Sequence, residues 1–271
     1  MKRLLSVFLL LWCISAFGQR DKSFELGIFA GVSFYNGELN PWAQYSPDFT
    51  RPAFGIIGRK NLNRRWAIKF NAYYGRIAGD DSKVNQDANQ TRNLSFESRL
   101  WDVGSQFEFN FVPFHPLDDK SSPITPYLFW GLSVFGFNPT TDLQGNQYEL
   151  QPLKTEGQSR GYRRTSVGMP FGLGIKTRLN HRVLLGFEWG IRRTWTDYLD
   201  DVSTTYPDAG ILDGVAADLS DRSFENVGPN GTNWGTQRGN PNRKDWYTFS
   251  GLTLTIRIGP KPNECYFQPG V

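Results

Sequence analysis

The sequence predicts an all-β fold, an eight-stranded antiparallel transmembrane β-barrel with long external loops and short periplasmic turns. Three observations predict it. Apolar residues recur at every second position through most of the chain, short and long connections alternate, and an export-type N-terminus is followed by no long apolar run.

The N-terminus opens Met1-Lys2-Arg3, runs apolar from Leu4 to Phe17 and ends on the small residues Ala16 and Gly18. A positive start, an apolar middle and a small-x-small exit describe a secretory signal. The expected organisation is therefore a signal peptide over residues 1–18, an outer-membrane barrel over 19–258 and a periplasmic tail over 259–271. Trp12 ahead of Cys13 is too bulky for a lipoprotein signal. Removing Lys2 and Arg3 leaves 28 basic against 26 acidic residues, which gives no reason to expect a nucleic-acid partner. Cys13 leaves with the signal, so Cys265 stands alone and no internal disulfide is expected. After Gly18 no stretch of 18 apolar residues exists, which excludes a transmembrane helix.

The strands follow in order. Leu26, Ile28, Ala30, Val32 and Phe34 share one parity and Glu25, Gly27, Gly31 and Ser33 the other, with Phe29 an exception. Trp66, Ile68, Phe70, Ala72 and Tyr74 oppose Lys69, Asn71 and Gly75. Val103, Phe107, Phe109 and Phe111 oppose Asp102, Gly104, Gln106, Glu108 and Asn110. Val167, Met169, Phe171, Leu173 and Ile175 oppose Gly168, Gly172, Gly174 and Lys176. Val183, Leu185, Phe187, Trp189 and Ile191 oppose Gly186, Glu188, Gly190 and Arg192. Leu252, Leu254, Ile256 and Ile258 oppose Gly251, Thr253, Thr255 and Arg257. A period of two marks a strand with one apolar face. Two weaker strands, over 53–60 and 126–138, complete the count; in the second both parities are apolar and its direction is unreadable.

The connections carry the second signal. Residues 61–65 and 180–182 are short turns and 113–125 a modest loop, whereas 36–52, 77–93, 139–165 and 198–244 are long. Strict alternation suits a barrel whose turns stay tight at one membrane face while loops grow at the other. Glu25, Lys69, Glu108, Lys176, Glu188, Arg192 and Arg257 all lie opposite the apolar parity. In a barrel they point into the lumen and pair there, and a barrel of eight is filled by its own side chains, which disfavours a porin.

Chemistry-bearing motifs are sparse, and no cofactor or metal is expected. His115 and His181 both fall in short connections, away from the serines of the long loops, so a lipid-trimming enzyme is a poor reading. Asp80-Asp81 and the group Asp197, Asp200 and Asp201 carry the oxygen ligands calcium takes. The plainer reading is that these acids are solvated and keep the loops soluble.

One series of segments goes further. It comprises residues 35–41 (Tyr-Asn-Gly-Glu-Leu-Asn-Pro), 92–96 (Arg-Asn-Leu-Ser-Phe), 150–158 (Leu-Gln-Pro-Leu-Lys-Thr-Glu-Gly-Gln) and 196–208 (Thr-Asp-Tyr-Leu-Asp-Asp-Val-Ser-Thr-Thr-Tyr-Pro-Asp). It continues through 219–223, 237–239 and 244–247. In order and nearly over the whole mature chain, this series resembles the PorG-like outer-membrane proteins of the type IX secretion machinery. The resemblance implies a non-enzymatic barrel that anchors the periplasmic ring of that apparatus, supporting protein export and in some bacteria gliding motility. Its partners would be outer-membrane lipid and the ring subunits. The recurring loop residues correspond to Asp197, Tyr198, Asp200, Asp201, Ser203, Tyr206, Asp221, Arg222 and Arg238, as partner-binding or loop-structural groups. The rival expectation is a small adhesion or ligand-binding barrel that grips a partner through Trp42, Trp234 or Tyr206.

Overall fold

The computed structural model describes residues 23–40, 47–84, 87–114, 121–227 and 233–259. The signal, Trp42, His115, Cys265 and the tail beyond Gly259 lie outside them. Nine strands form: β1 (Phe24–Asn36), β2 (Arg51–Asn61), β3 (Trp66–Asp80), β4 (Ser95–Asn110), β5 (Ile124–Leu143), β6 (Asn146–Glu149), β7 (Thr165–Arg178), β8 (Val183–Thr194) and β9 (Trp246–Ile258). Eight of them pair antiparallel in the order β4-β3-β2-β1-β9-β8-β7-β5, and β4 pairs with β5 to close the ring. The ninth, β6, folds back on the loop end of β5 as a hairpin. The fold is thus the closed barrel of eight read from the periodicity. Closure leaves no open sheet edge, the requirement for strands in hydrocarbon.

The two tightest turns share one device. Asn63 Oδ1 accepts from the backbone N–H groups of Arg65 and Trp66 at 2.8 and 2.9 Å. Asn180 Oδ1 accepts from Arg182 and Val183 at 2.8 and 2.9 Å. Asn bonding to its own backbone two residues on is a local turn former, and it ties β2 to β3 and β7 to β8 at the same end. All four long connections emerge at the other end.

The parities sort as the periodicity predicts. Leu26, Ile28, Ile56, Phe70, Val103, Leu132, Leu173, Phe187 and Leu254 stand exposed on the outer face, while the opposite parity is buried. Phe29 breaks the pattern because it points inward: its ring stacks on Tyr73 at 4.5 Å and meets Phe249 edge-on. In β5, Tyr127, Phe129, Phe135 and Phe137 turn inward and Leu128, Trp130, Leu132 and Val134 outward. Both parities are apolar there because part of the lumen is filled with rings.

Below those rings lies a buried ion network. Arg59 pairs with Glu25 at 2.7 Å and with Glu108 at 2.8 Å. Lys176 reaches Glu108 at 3.0 Å, and Lys69 reaches Glu188 at 2.7 Å. Tyr127 donates to Glu188 at 2.6 Å, and Lys69 and Lys176 lie over the rings of Phe129 and Tyr127 at 4.4 and 4.7 Å. Arg192 sits over Phe249 at 4.8 Å, and Arg257 donates to the His181 carbonyl at 3.2 Å. Every one of the seven luminal charges read from sequence is buried inside. Arg59, left out because its strand was read weakly, bridges Glu25 and Glu108. Room for the rings comes from glycine: a Cβ on Gly172 or Gly190 would stand 2.8 or 2.7 Å from Phe129 Cζ.

Candidate functional site

At the loop end the four long connections close over the barrel mouth. Tyr35, Leu39, Ile77, Leu94, Phe96, Phe137, Leu150, Leu199, Val202 and Leu219 pack into an apolar core continuous with the rings of the upper lumen. Short helices (Asp81–Lys83, Asp87–Arg92, Leu150–Leu153, Val215–Ser220 and Phe224–Val227), strand β6 and one isolated bridge, Thr205 with Gln237, give the loops regular structure.

Polar side chains then lock the loops together. Asp201 takes a left-handed backbone with φ 65°, a conformation that persists in a non-glycine residue only where its surroundings fix it. Its carboxylate accepts from Thr155 and, at 2.7 Å, from Tyr162, while its own carbonyl accepts from Arg238. Arg238 also pairs with Glu156 at 3.2 Å and donates to the Ser220 carbonyl at 3.1 Å. Glu156 accepts from the Ser203 and Thr204 N–H groups at 2.7 and 3.0 Å and from the Tyr198 hydroxyl at 3.3 Å. Tyr198 stacks on Tyr162 at 4.6 Å. One buried arginine and one buried glutamate thereby join the β5–β7 loop to the β8–β9 loop.

A second knot lies over β1. The Tyr35 hydroxyl donates to Asp200 at 2.5 Å and shares its proton with Asp245 at 3.0 Å. Asp245 also accepts from Leu199 N, and Asp197 from the Ser203 hydroxyl at 2.8 Å. Arg92 grips Asp81 through two bonds of 2.7 and 2.8 Å and donates to the Arg238 carbonyl. Asp221 accepts from Ser223 and Asn233, and Arg222 reaches Glu225, the Ser95 hydroxyl and the Asp142 carbonyl. Tyr206 is buried at the edge of the cap.

Burial governs the acidity here. It raises Asp197 and Asp200, the latter with help from Glu38, and raises Asp245, with help from Asp200. It pushes Asp201 up to about 6 against the pull of Arg238, and Tyr206 up to about 12. Glu38 is raised by burial and then by Asp197.

The reading of these loop acids as solvated is overturned, because Asp197, Asp200 and Asp201 are all at most 3 % exposed. The acids adjacent in sequence do not converge on one point either. Asp80 accepts from Ser82, Asp81 is committed to Arg92, and Asp201 turns away to Thr155 and Tyr162. The residues that sequence reasoning missed are Glu38, Glu156, Arg92 and Asp245. All four sit inside the segments that carried the resemblance, which was the available signal. His181 is exposed in the β7–β8 turn, at the far end of the barrel from the loop serines.

Residues 2–268 match a protein family described as a domain of unknown function, DUF6089. No curated protein matches the sequence. Solved structures similar to the chain include Ail, the attachment invasion locus protein of Yersinia pestis, in complex with the heparin analogue sucrose octasulfate. It shares 9 % identity over 87 % of this chain and 98 % of its own, with a TM-score of 0.41. Neisserial surface protein A gives 12 %, 88 %, 100 % and 0.44. OprG, an outer membrane protein from Pseudomonas aeruginosa, gives 12 %, 90 %, 99 % and 0.42. At these values no residue role passes from any of them to this chain.

Proposed function

We propose that this chain, which belongs to the DUF6089 family, is a non-enzymatic outer-membrane scaffold that anchors the periplasmic ring of a type IX secretion machinery. Residence in a membrane is supported by the outer face, where Ile28, Ile56, Val103, Leu132 and Leu254 are each 41–65 % exposed although apolar. Hydrocarbon is the solvent in which such a belt is stable. A channel role is opposed by the lumen, which is filled with ion pairs and rings and capped by loops.

The observation that carries the scaffold reading is the burial of six of the nine recurring loop residues. Asp197, Asp200, Asp201, Ser203, Tyr206 and Arg238 are at most 5 % exposed, so they build the cap and present little to a partner. Partner contact then falls to the opposite end, with its short turns at 62–65 and 179–182, the face a periplasmic ring would meet. Co-purification from detergent-solubilised membranes tests this: ring subunits should be recovered with the barrel. Recovery of none, with normal secretion after gene deletion, sinks the scaffold role.

A second reading, a small adhesion or ligand-binding barrel, is favoured by Trp234, 57 % exposed on the longest loop. Deleting residues 198–244 separates the two, because surface binding would vanish while secretion continues.

A further inference from the structure

We propose that Glu38, Asp197 and Asp245 form a binding site for a hard divalent cation of the calcium class, which clamps the long loops onto the barrel mouth. The three come from different places in the chain: Glu38 from the β1–β2 loop, Asp197 and Asp245 from the first and last turns of the β8–β9 loop. Each offers a carboxylate oxygen, and these oxygens lie within 4.8 Å of one another. That spacing is about twice a calcium–oxygen bond of roughly 2.4 Å, so one ion reaches all three.

Proximity of acids alone would not make a site. The second observation is the state of the oxygens themselves. Asp197 is 3 % exposed, its Oδ2 accepts from Ser203, and its Oδ1 is buried with no donor at all. Glu38 is half-buried: its Oε1 accepts from Asn240 N at 3.3 Å, and its Oε2 is buried without a partner. Buried carboxylate oxygens left unpaired are costly, and here two of them belong to one cluster. The nearby protein cations have hydrogen-bond partners of their own: Arg92 holds Asp81 through Nε and Nη2, and Lys244 donates to the Pro241 carbonyl at 2.6 Å. Asp200 lies outside this trio and shares the Tyr35 hydroxyl with Asp245.

The donor set selects the ion. It is all oxygen and mostly carboxylate, with no histidine or cysteine, which suits a hard cation and not zinc or copper. Ligands contributed by two loops tolerate the larger, irregular shell of calcium better than the rigid octahedron magnesium demands. A cation here would tie the two ends of the longest loop to each other and to the neighbouring loop. This inference does not depend on the scaffold reading and would hold equally for a barrel with another partner.

The test is cation uptake by the purified full chain, folded in detergent and stripped with EDTA, followed by calorimetry with calcium chloride and by terbium luminescence. One calcium per chain is expected, with a dissociation constant of about 10⁻⁴–10⁻³ M, the range of extracellular sites. The thermal midpoint should rise with calcium and fall again with EDTA. Glu38→Gln, which deletes a charge from a side chain whose Oε2 holds no hydrogen bond, should weaken uptake by roughly tenfold or more. Asp197→Asn should do the same, while Glu97→Gln, at the exposed rim, should leave it intact. No uptake up to about 10 mM calcium, well above that range, overturns the site and leaves the carboxylates sharing a proton instead. Uptake indifferent to both Glu38→Gln and Asp197→Asn overturns the residue assignment, and magnesium binding as tightly as calcium overturns the ion class.

Discussion

Lys69 on β3 and Glu188 on β8 join across the full width of the lumen, the ammonium donating to both carboxylate oxygens at 2.7 Å. In the ring order three strands separate β3 from β8 on either side, so the pair lies on a diameter. An ion pair on the diameter means there is no open channel at that level. Removing one partner strands the other as a buried charge, which costs about 3–5 kcal/mol. Lys69→Met is therefore expected to lower barrel stability by about that much. Lys69→Met combined with Glu188→Gln should lose clearly less than the sum of the two single changes, because Tyr127 and Tyr73 still donate to position 188. Urea unfolding from lipid vesicles, run as a double-mutant cycle, reads both.

Ile28 decides what the outer face touches. It stands 56 % exposed midway along β1, with Ile56 and Leu254 beside it on the neighbouring strands. An arginine there would cost about 2–4 kcal/mol if the belt faces the middle of a bilayer. It would cost within about 0.5 kcal/mol if the belt faced water. Ile28→Arg measured by folding into vesicles should show the larger loss, and a negligible one would remove the barrel from the membrane.

The sequence made the barrel wall legible because a strand with one face in lipid and one in the lumen imposes a strict period of two, and β1, β3, β4, β7, β8 and β9 keep it. It was weak where luminal side chains are themselves apolar. In β5 Phe129 and Phe135 fill the barrel, and in β2 Ile56 and Ile57 are adjacent although one faces out and one in. Arg59 was hidden for that reason. The cap was legible only as an inventory of residues. Its contacts join Tyr35 to Asp200 and Glu156 to Arg238, segments far apart in the chain whose juxtaposition follows from the closed ring. No local period encodes that.

Gly190 tests whether the lumen is packed as tightly as it looks. With Gly172 it cradles the Phe129 ring, and a Cβ would meet Phe129 Cζ at 2.7 Å. The ring in turn lies beneath the Lys69 ammonium. Gly190→Val should force Phe129 aside and destabilise the barrel by about 1–3 kcal/mol, the usual cost of overpacking. Gel mobility of unheated samples should shift toward the unfolded form at a lower temperature than in the wild type. An unchanged transition would mean the ring has space to move.

Asp201 gives the cap a pH dependence whose sign can be worked out. Burial raises its folded value to about 6 from 3.8, against the pull of Arg238. Below about 3.8 the acid is protonated whether the cap is closed or open, and Asp201 makes no difference. Between 3.8 and 6 the open form releases its proton while the closed form keeps it, so stability falls as pH rises. Above 6 both forms are ionised and the full cost is present, on the order of 3 kcal/mol for a shift of this size. Hydrogen exchange of the amides in residues 196–208 should therefore quicken from pH 4 to pH 6.5 beyond its intrinsic rise, and then level. Asp201→Asn, which keeps an oxygen for one of Thr155 and Tyr162 but cannot ionise, should flatten that slope. A slope unchanged in the variant would assign the effect to another acid of the cap.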